Sequence, residues 1–225
     1  MKRLTDWWRN LVAAGCILAL VGSAQAAAKS CDLTFHGYQG TTTLADFQAL
    51  VRLPTMVPGF SYDDFAAQDG SDIWFTDANG TVIPHEIDTW RAGGVSSIWV
   101  KVPSLVDAST RITMHWGEAK TAAQTTNPQD VWSAYKGVWH MNEDSGTAFD
   151  STEHGLDALP NSSASGDLSK LIVYLDGACG RARDNGEQSM LVPACDCLGV
   201  AENFVISGWF RIDDFIPYRR LIAQT

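Results

Sequence analysis

Short runs in which apolar and polar residues alternate are the feature that most constrains the fold of this chain. In the run 97–102, Ile98, Val100 and Val102 share one face and Lys101 lies on the other. A period of two over runs this short predicts half-buried antiparallel strands, and several such strands predict an all-β sandwich. Runs with this character are 47–53, 72–75, 82–87, 97–102 and 111–116.

Glycine-containing turns separate these runs. Asn79-Gly80 lies between the second and third runs, and Asn-Gly readily takes the positive φ that a tight hairpin needs. Gly93-Gly94 separates the next pair. Trp116 shares a face with Ile112 and Met114, so we expect it in the core. The first β-sandwich module is predicted over residues 27–118.

The pattern changes after residue 118. Residues 119–136 are interpreted as a linker, in which Pro128 and the acidic residue after it predict one short helix. A second β module is predicted over residues 137–225. Its strand-like runs are too few to close a sandwich, so we expect it to be incomplete at the C-terminus. These runs begin at Val138, Gly180, Ser189, Phe204 and Leu221, and the one from Phe204 extends to Ile212.

The N-terminus has the features of a secretory signal peptide over residues 1–26. Three basic residues flank the start of an apolar run over residues 11–21, and Ala24-Gln25-Ala26 offers the small-x-small pattern of a cleavage site. The alternative, a lipoprotein signal at Cys16, is disfavoured because the apolar run continues beyond that residue. We therefore expect an exported protein, located in the periplasm or at the cell surface.

The charge of the exported part excludes one class of partner. The signal segment holds three of the 16 basic residues and one of the 26 acidic residues, which leaves 13 and 25 and a net charge of −12. Without a basic stripe to neutralise phosphates, nucleic acid is not an expected partner. After signal removal no segment is long and apolar enough to span a membrane.

Four cysteines follow the signal segment, and an oxidising compartment favours disulfides. Cys195 and Cys197 are close together, and Cys179 precedes them by about the length of a hairpin. We predict a bridge from Cys179 to one of the other two, with the pairing left open. Zinc is the alternative, but two neighbouring cysteines and a third give no complete tetrahedral ligand set.

Several motifs of the first module occur in the order typical of one family. They are Asp69-Gly70-Ser71-Asp72-Ile73-Trp74-Phe75-Thr76-Asp77, Pro84-His85-Glu86-Ile87-Asp88-Thr89-Trp90 and Ile98-Trp99-Val100-Lys101-Val102-Pro103-Ser104-Leu105. Together they resemble a bacterial domain of unknown function numbered 2341, over roughly Leu33 to Trp132. The resemblance implies a β domain without an assigned activity.

Motifs of the second module carry another resemblance. Gly137-Val138-Trp139-His140-Met141-Asn142-Glu143 and Phe204-Val205-Ile206-Ser207-Gly208-Trp209-Phe210 resemble the start of a concanavalin A-like lectin/glucanase domain of the laminin-G type, which implies a lectin-like jelly roll. Asp184-Asn185-Gly186-Glu187 departs from the aromatic-Asp-Gly turn of that family. The order of the two modules is similar to the exported N-terminal part of some MotA/TolQ/ExbB-class proton-channel proteins, which implies a biopolymer-transport context.

Glu86-Ile87-Asp88 is the strongest catalytic signal in the chain. Sandwich glucanases place three carboxylates on one strand as Glu-x-Asp-x-x-Glu, but Arg91 occupies the third position here, so the general acid is missing. We expect these carboxylates to face solvent or to pair with a neighbour. The five histidines are scattered, and no set of nucleophile and base is recognisable. The sequence therefore predicts a protein that is not an enzyme.

Two sets of side chains are candidates for binding. Asp150, Asp184 and Glu187 are candidate calcium ligands, although Asp also favours turns for its own backbone bonds; no other cofactor is expected. Seven tryptophans follow the signal segment. Among them Trp90 and Trp99 are candidate ligand contacts, because flat exposed aromatic rings bind sugars and because their apolar neighbours leave room for exposure on the other face.

These observations favour a non-catalytic extracytoplasmic binding module, with a glycan or a cell-envelope component as its ligand. One alternative is a structural periplasmic arm of a proton-channel assembly, with protein partners. The other is a fragment of a secreted polysaccharide hydrolase, which would require carboxylates from elsewhere.

Overall fold

The computed structural model describes residues 28–55, 59–143, 146–160, 174–177, 180–183, 190–195, 198 and 204–209. The predicted signal peptide lies outside this part of the chain. Among the described residues, none of the helices has the length and apolar character needed to cross a membrane.

Strands dominate the described residues, as the alternating runs predict. They are β1 (Lys29–Thr34), β2 (Leu44–Pro54), β3 (Trp74–Asp77), β4 (Val82–Ile83), β5 (His85–Thr89), β6 (Val95–Leu105), β7 (Arg111–Trp116), β8 (Leu159–Pro160), β9 (Tyr174–Gly177), β10 (Gly180–Arg183) and β11 (Met190–Leu191). Short 3₁₀ helices span Tyr62–Asp64, Ala122–Gln124 and Pro128–Trp132. The last of these lies where Pro128 predicts a helix.

Strands β1 to β7 form two antiparallel sheets. The first sheet has the order β1-β7-β3-β4 and the second has the order β2-β6-β5. Their facing sides enclose one apolar core, which confirms the predicted all-β, sandwich-like fold. Beyond residue 158, β8 pairs with β11 and β9 pairs with β10, each as a two-stranded antiparallel unit.

The core is built by the alternation seen in the sequence. Ile98, Val100 and Val102 of β6 are almost completely buried, while Lys101 between them faces outward. Trp116 is 3% exposed, in the core as predicted. Each large apolar side chain buried in this way contributes about 2 kcal/mol to stability, so the core outweighs any single surface contact.

A single residue joins the two sheets at one corner. Strand β4 belongs to the first sheet and β5 to the second, with only Pro84 between them. Proline has no N–H to donate, but its carbonyl accepts a hydrogen bond of 2.9 Å from Lys101 N of β6. The chain therefore passes from one layer to the other without a loop.

The turn predicted at Asn79-Gly80 connects β3 and β4. Gly80 has a φ of +82°, the left-handed region that glycine tolerates best. The Asp77 carboxylate accepts hydrogen bonds from Asn79 N and Thr81 N at 2.9 and 2.8 Å, which closes the turn.

Three features differ from the sequence prediction. The run that begins at Val138 forms no strand, and Trp139 makes only an isolated bridge with Asp150. Strand β1 was not predicted, although Cys31 and Leu33 alternate with polar residues and pack against the core. The strand predicted from Phe204 to Ile212 is wrong over 204–209, where the described residues are irregular and exposed. A β-strand is stable only when its backbone is paired, and no described residue supplies a ladder for this segment.

The loop before β3 makes a close contact that only glycine permits. Gly70 has a φ of +72°, and a Cβ built there would lie 2.5 Å from the Trp90 ring. The loop is anchored by Asp72, a buried residue whose carboxylate accepts hydrogen bonds from Ala66 N, Ala67 N and Gly117 N. Gly70 is therefore required by both backbone conformation and packing.

We predict that Gly70→Ala lowers the free energy of unfolding by about 3 kcal/mol, the sum of left-handed backbone strain and overpacking. Gly80→Ala is the matched control, because its φ is also positive but nothing lies within 4 Å of the added Cβ. We expect Gly80→Ala to lower the free energy of unfolding by only about 1 kcal/mol. Urea denaturation of both variants measures the difference, and equal losses would show that the Trp90 contact is unimportant.

Candidate functional site

Strand β5 turns two carboxylates away from the core. His85 and Ile87 face the first sheet, so Glu86 lies on the outer face of the second sheet because side chains alternate along a strand. The ladder is irregular between Ile87 and Thr89, and Asp88 lies on the same side as Glu86 because it contacts His140 and Asn142. Trp99 of β6 stands directly opposite Glu86 in the ladder. The outer face thus combines two acidic side chains and an aromatic ring.

The chain that follows the sandwich covers part of this face. Val131 and Trp132, at the end of the third 3₁₀ helix, are 0% and 4% exposed. The Trp132 ring lies edge-on to Trp99, with 5.3 Å between ring centroids. Gln48 Nε2 of β2 donates a hydrogen bond to the Val131 carbonyl at 3.1 Å. We refer to residues 128–152 as the covering segment.

Glu86 accepts hydrogen bonds from three side chains of the covering segment. Trp132 Nε1 and His140 Nε2 both donate to Oε2, the latter over 3.0 Å, and Ser151 Oγ donates to Oε1 over 2.8 Å. The contact with His140 is also an ion pair, in which both side chains are largely buried. Both oxygens of Glu86 are therefore occupied by protein donors.

Asp88 is partnered on one oxygen only. Asn142 Nδ2 donates to Oδ1 at 2.8 Å and to the Asp88 carbonyl at 2.9 Å, and His140 Nδ1 lies 3.7 Å from the same Oδ1. The Asp88 side chain is 4% exposed. No residue in the described ranges donates a hydrogen bond to Oδ2, and this oxygen stays accessible to water.

The charges of this cluster shift the pKa values of its members in different directions. Burial acts to raise the pKa of Glu86, but the hydrogen bond and charge of His140 outweigh burial and hold that pKa below its usual range. Burial also acts to lower the pKa of His140, yet Glu86, Asp88 and Glu143 raise it overall. Glu86 and His140 are thus held as an ion pair.

The pKa of Asp88 is raised. Burial is the main cause, and the negative charges of Glu86 and Glu143 add to it, while His140 and Asn142 act in the opposite direction. The raised pKa of Asp88 therefore reflects mainly its removal from water.

A shallow cleft of about 390 Å³ opens beside the cluster. Its lining mixes charged, polar and aromatic side chains, and it combines the end of β5 with the covering segment. The lining residues are Asp88, Thr89, Trp90, Arg91 and Asn142. Met141, next to the lining residue Asn142, has a φ of +56°, a conformation that costs a non-glycine residue about 1 kcal/mol. Such strain is typical of functional sites.

The two candidate tryptophans have different surroundings. Trp90 lines the cleft and is anchored at its rim, since Nε1 donates to the Gln68 carbonyl at 2.9 Å and its ring packs edge-on to Tyr62 and Phe65. Trp99 is half-buried beneath Trp132 and His140 rather than standing as an open platform. A ligand contact at either tryptophan stays a prediction, and the geometry favours Trp90.

The hydrogen bonds around the candidate metal ligand Asp150 indicate a structural role. Its carboxylate accepts four hydrogen bonds, which are donated by Val138 N, Thr152 N, Thr152 Oγ1 and Leu156 N. These bonds outweigh burial and lower the pKa of Asp150. Asp184 and Glu187 lie outside the described residues, and within those residues no group of His, Cys, Asp or Glu side chains is arranged to hold a metal ion.

The cysteines, too, lie partly inside and partly outside the described residues. Cys195 is disulfide-bonded, whereas Cys179 and Cys197 lie outside the described residues. Cys31 is a free thiol that packs against the core, and burial raises its pKa.

Sequence analysis missed four partners of the carboxylates. Trp132 is 46 residues away from Glu86. His140 and Asn142 are 54 residues away from Glu86 and Asp88, and Ser151 is 65 residues from Glu86. No local pattern links positions so far apart. The expectation that the carboxylates face solvent or pair with a neighbour is met by the second alternative.

Residues 69–155 match a family model described as a domain of unknown function, DUF2341. The match confirms the first resemblance, but it starts later and ends later than the predicted range from Leu33 to Trp132. It includes both β5 and the covering segment, and hence every residue of the cluster. Searches of curated proteins and of solved structures found no match. The lectin-like resemblance and the predicted module boundaries stay predictions.

We predict that His140→Gln destabilises the fold more near pH 5.5 than near pH 8.5. Because the folded-state pKa of His140 is raised, its stabilising charge is fully present below the unfolded pKa of about 6.5 and is lost as pH rises through the folded pKa. The expected loss near pH 5.5 is about 3 kcal/mol, the cost of breaking a buried ion pair. Urea denaturation at both pH values measures it.

His115→Gln is the matched control with the opposite sign. Burial lowers the pKa of His115, so stability from this residue is lost as pH falls below the unfolded value, and its replacement costs less near pH 5.5 than near pH 8.5. If the loss in His140→Gln does not change with pH, the ion pair with Glu86 is not formed.

Asp150→Asn is predicted to lower the free energy of unfolding by about 2 kcal/mol, because an amide nitrogen replaces an oxygen that accepts hydrogen bonds. Asp157→Asn is the control: Asp157 Oδ1 accepts one bond, from Asp150 N, which an Asn oxygen preserves. Thermal melts with calcium and with a chelator measure both variants. A melting temperature of the parent protein that rises with calcium, but not in Asp150→Asn, would instead identify Asp150 as a calcium ligand.

Proposed function

We propose that this protein is a non-catalytic, extracytoplasmic binding module that takes a glycan of the cell envelope in the cleft at the end of β5. The observation that carries the proposal is the cleft itself, in which a carboxylate with one solvent-accessible oxygen stands beside an aromatic ring. Sites for small ligands commonly begin at about 300 Å³, and this cleft exceeds that value.

The lining has the chemistry that sugars require. Asp88 and Asn142 offer hydrogen-bonding groups in fixed positions, because each is held by the other. Trp90 adds an apolar ring at the rim, and aromatic rings with polar neighbours suit a sugar, which has both C–H and O–H faces. Arg91 also lines the cleft and adds a positive charge there.

The arrangement of Glu86 supports binding rather than catalysis. A general acid or nucleophile must reach a substrate atom, but both Glu86 oxygens are engaged by Trp132, His140 and Ser151. His140 is itself positioned between two carboxylates. The cluster therefore suits a role in holding the covering segment on the sheet.

The disulfide at Cys195 supports the extracytoplasmic location. Disulfides persist in oxidising compartments, in agreement with the predicted signal peptide.

The proposal predicts that Arg91→Gln weakens glycan binding about tenfold, the usual effect of losing a charged hydrogen bond. Arg91 is exposed, so the fold is expected to persist. A panel of envelope and extracellular polysaccharide fragments, tested by isothermal titration calorimetry with the mature full-length protein, identifies the ligand. The affinity of Arg91→Gln is then measured for the glycan that binds the parent protein most tightly.

Arg52→Gln is the matched control, since Arg52 is also exposed but lies on β2 away from the cleft lining. We expect it to bind as the parent protein does. Absence of binding across the whole panel would overturn the proposal. Hydrolysis of a panel member that is lost in Glu86→Gln would overturn the non-catalytic assignment.

A further inference from the structure

We infer that residues 140–143 are a pH-controlled latch, which holds the middle of the covering segment on the second sheet while the His140 ring is protonated and lifts from the sheet when that proton is lost. The latch is a motion of this chain, so the inference does not rest on the proposed function. Three features support it: the two carboxylates around His140, the polar character of the latch, and a buried N–H group beneath it.

The His140 ring lies between two carboxylates. Its side chain is 12% exposed, Nε2 lies 3.0 Å from Glu86 Oε2, and Nδ1 lies 3.7 Å from Asp88 Oδ1. An imidazolium carries an N–H on both ring nitrogens, whereas a neutral imidazole carries only one. Loss of the proton therefore points a nitrogen lone pair at one carboxylate and removes the cation between two negative charges. Breaking a buried ion pair in this way is strongly destabilising.

The latch is held by polar contacts rather than by apolar burial. None of residues 140–143 is fully buried, in contrast to Val131 and Trp132 earlier in the covering segment. Asn142 Nδ2 adds hydrogen bonds to the carbonyl and Oδ1 of Asp88. Met141 has a φ of +56°, a strained conformation that can relax when the latch lifts. Lifting the latch therefore exposes little apolar surface, while Val131 and Trp132 anchor the start of the covering segment.

A buried N–H group beneath the latch lacks an acceptor. The Trp99 ring is stacked with His140, with 6.3 Å between ring centroids, and it lies edge-on to Trp132. Trp99 Nε1 is buried and has no hydrogen-bond partner in the described part of the chain. A buried donor without an acceptor costs free energy. Because His140 is one of the two rings that cover Trp99, lifting the latch admits water to the indole and reduces this cost.

The charges around His140 determine the direction of the switch. Burial acts to lower the pKa of His140, but Glu86, Asp88 and Glu143 raise it overall. The latch is therefore closed below the ordinary histidine pKa of about 6.5 and opens as pH rises through the raised value. Other charged residues on the elements packed against this site are Arg91 beyond β5, Lys101 of β6, Asp130 of the third 3₁₀ helix, and Arg181 and Arg183 of β10, which packs against β5 and β6. The cations among them favour the neutral ring and so lower the pH at which the latch opens.

Opening of the latch would also change the cleft. Asn142 lines the cleft, so lifting residues 140–143 removes part of its wall. If the proposed function is correct, the cleft is complete only while His140 is protonated. This consequence rests on the proposed function, whereas the latch itself does not.

Hydroxyl-radical footprinting of the full-length mature protein, without any glycan, tests the inference. We expect oxidation of Trp99 to rise several-fold between about pH 6 and about pH 9, because release of one proton increases opening by at most about tenfold per pH unit. Trp116 is the internal reference, since it is 3% exposed in the sandwich core and should stay protected. Constant oxidation of Trp99 would overturn the inference, and so would a parallel rise at Trp116, which indicates global unfolding.

Two variants assign the response to His140. His140→Gln carries no charge at either pH, so we expect Trp99 to be oxidised equally at both pH values and about as strongly as in the parent protein near pH 9. His154→Gln is the matched control, because His154 lies two residues beyond the covering segment, where its backbone N–H donates to Thr152 Oγ1. It should keep the pH response of the parent protein. A pH response that persists in His140→Gln would overturn the inference.

A second measurement needs no variant and decides the question even if His140→Gln does not fold. The protonation of the His140 ring is followed by NMR titration of the parent protein. We expect its midpoint to coincide with the midpoint of Trp99 oxidation, because one proton controls both. Midpoints that differ by more than about one pH unit would overturn the latch. Since no glycan is present, failure of the latch and failure of the proposed binding function are distinguishable.

Discussion

The hydrogen bonds that Glu86 accepts from Trp132, His140 and Ser151 join the β-sandwich to the chain that follows it. Without them, a half-buried carboxylate would face the covering segment with no compensation for its lost hydration, which is strongly unfavourable. With them, the segment has one fixed position on the outer face of the second sheet. The cleft beside Asp88 exists only because that position is fixed.

Much of the sandwich could be predicted because its strands obey a local rule. In β6 and β7 the apolar residues fall at every second position, and the structure buries that face of each strand. The turn at Gly80 was equally predictable from the sequence, because glycine is the residue that most readily adopts a positive φ. Strand β1 shows the same alternation, but its inward residues Cys31 and Leu33 are only partly buried. The exposed segment 204–209 shows that alternation without a partner does not produce a strand.

The candidate site was less predictable because its chemistry depends on distant contacts. The sequence places Glu86 and Asp88 on one face, but nothing near them indicates that His140 and Asn142 will meet them. The exposure of an aromatic ring is equally non-local. Trp99 is covered by Trp132, a residue from outside the sheet, whereas Trp90 keeps its place at the cleft. Alternation determines which face a side chain takes, and tertiary packing determines what covers that face.

The single-residue passage at Pro84 has a mechanical consequence. Glu86 and Asp88 lie two and four residues beyond the point at which the chain leaves the first sheet. So short a connection provides no slack, and any sliding of one layer against the other would displace the carboxylates directly. The position of Asp88 relative to the first sheet is therefore fixed by the rigidity of the whole sandwich. A ligand of the cleft would bind a preformed site.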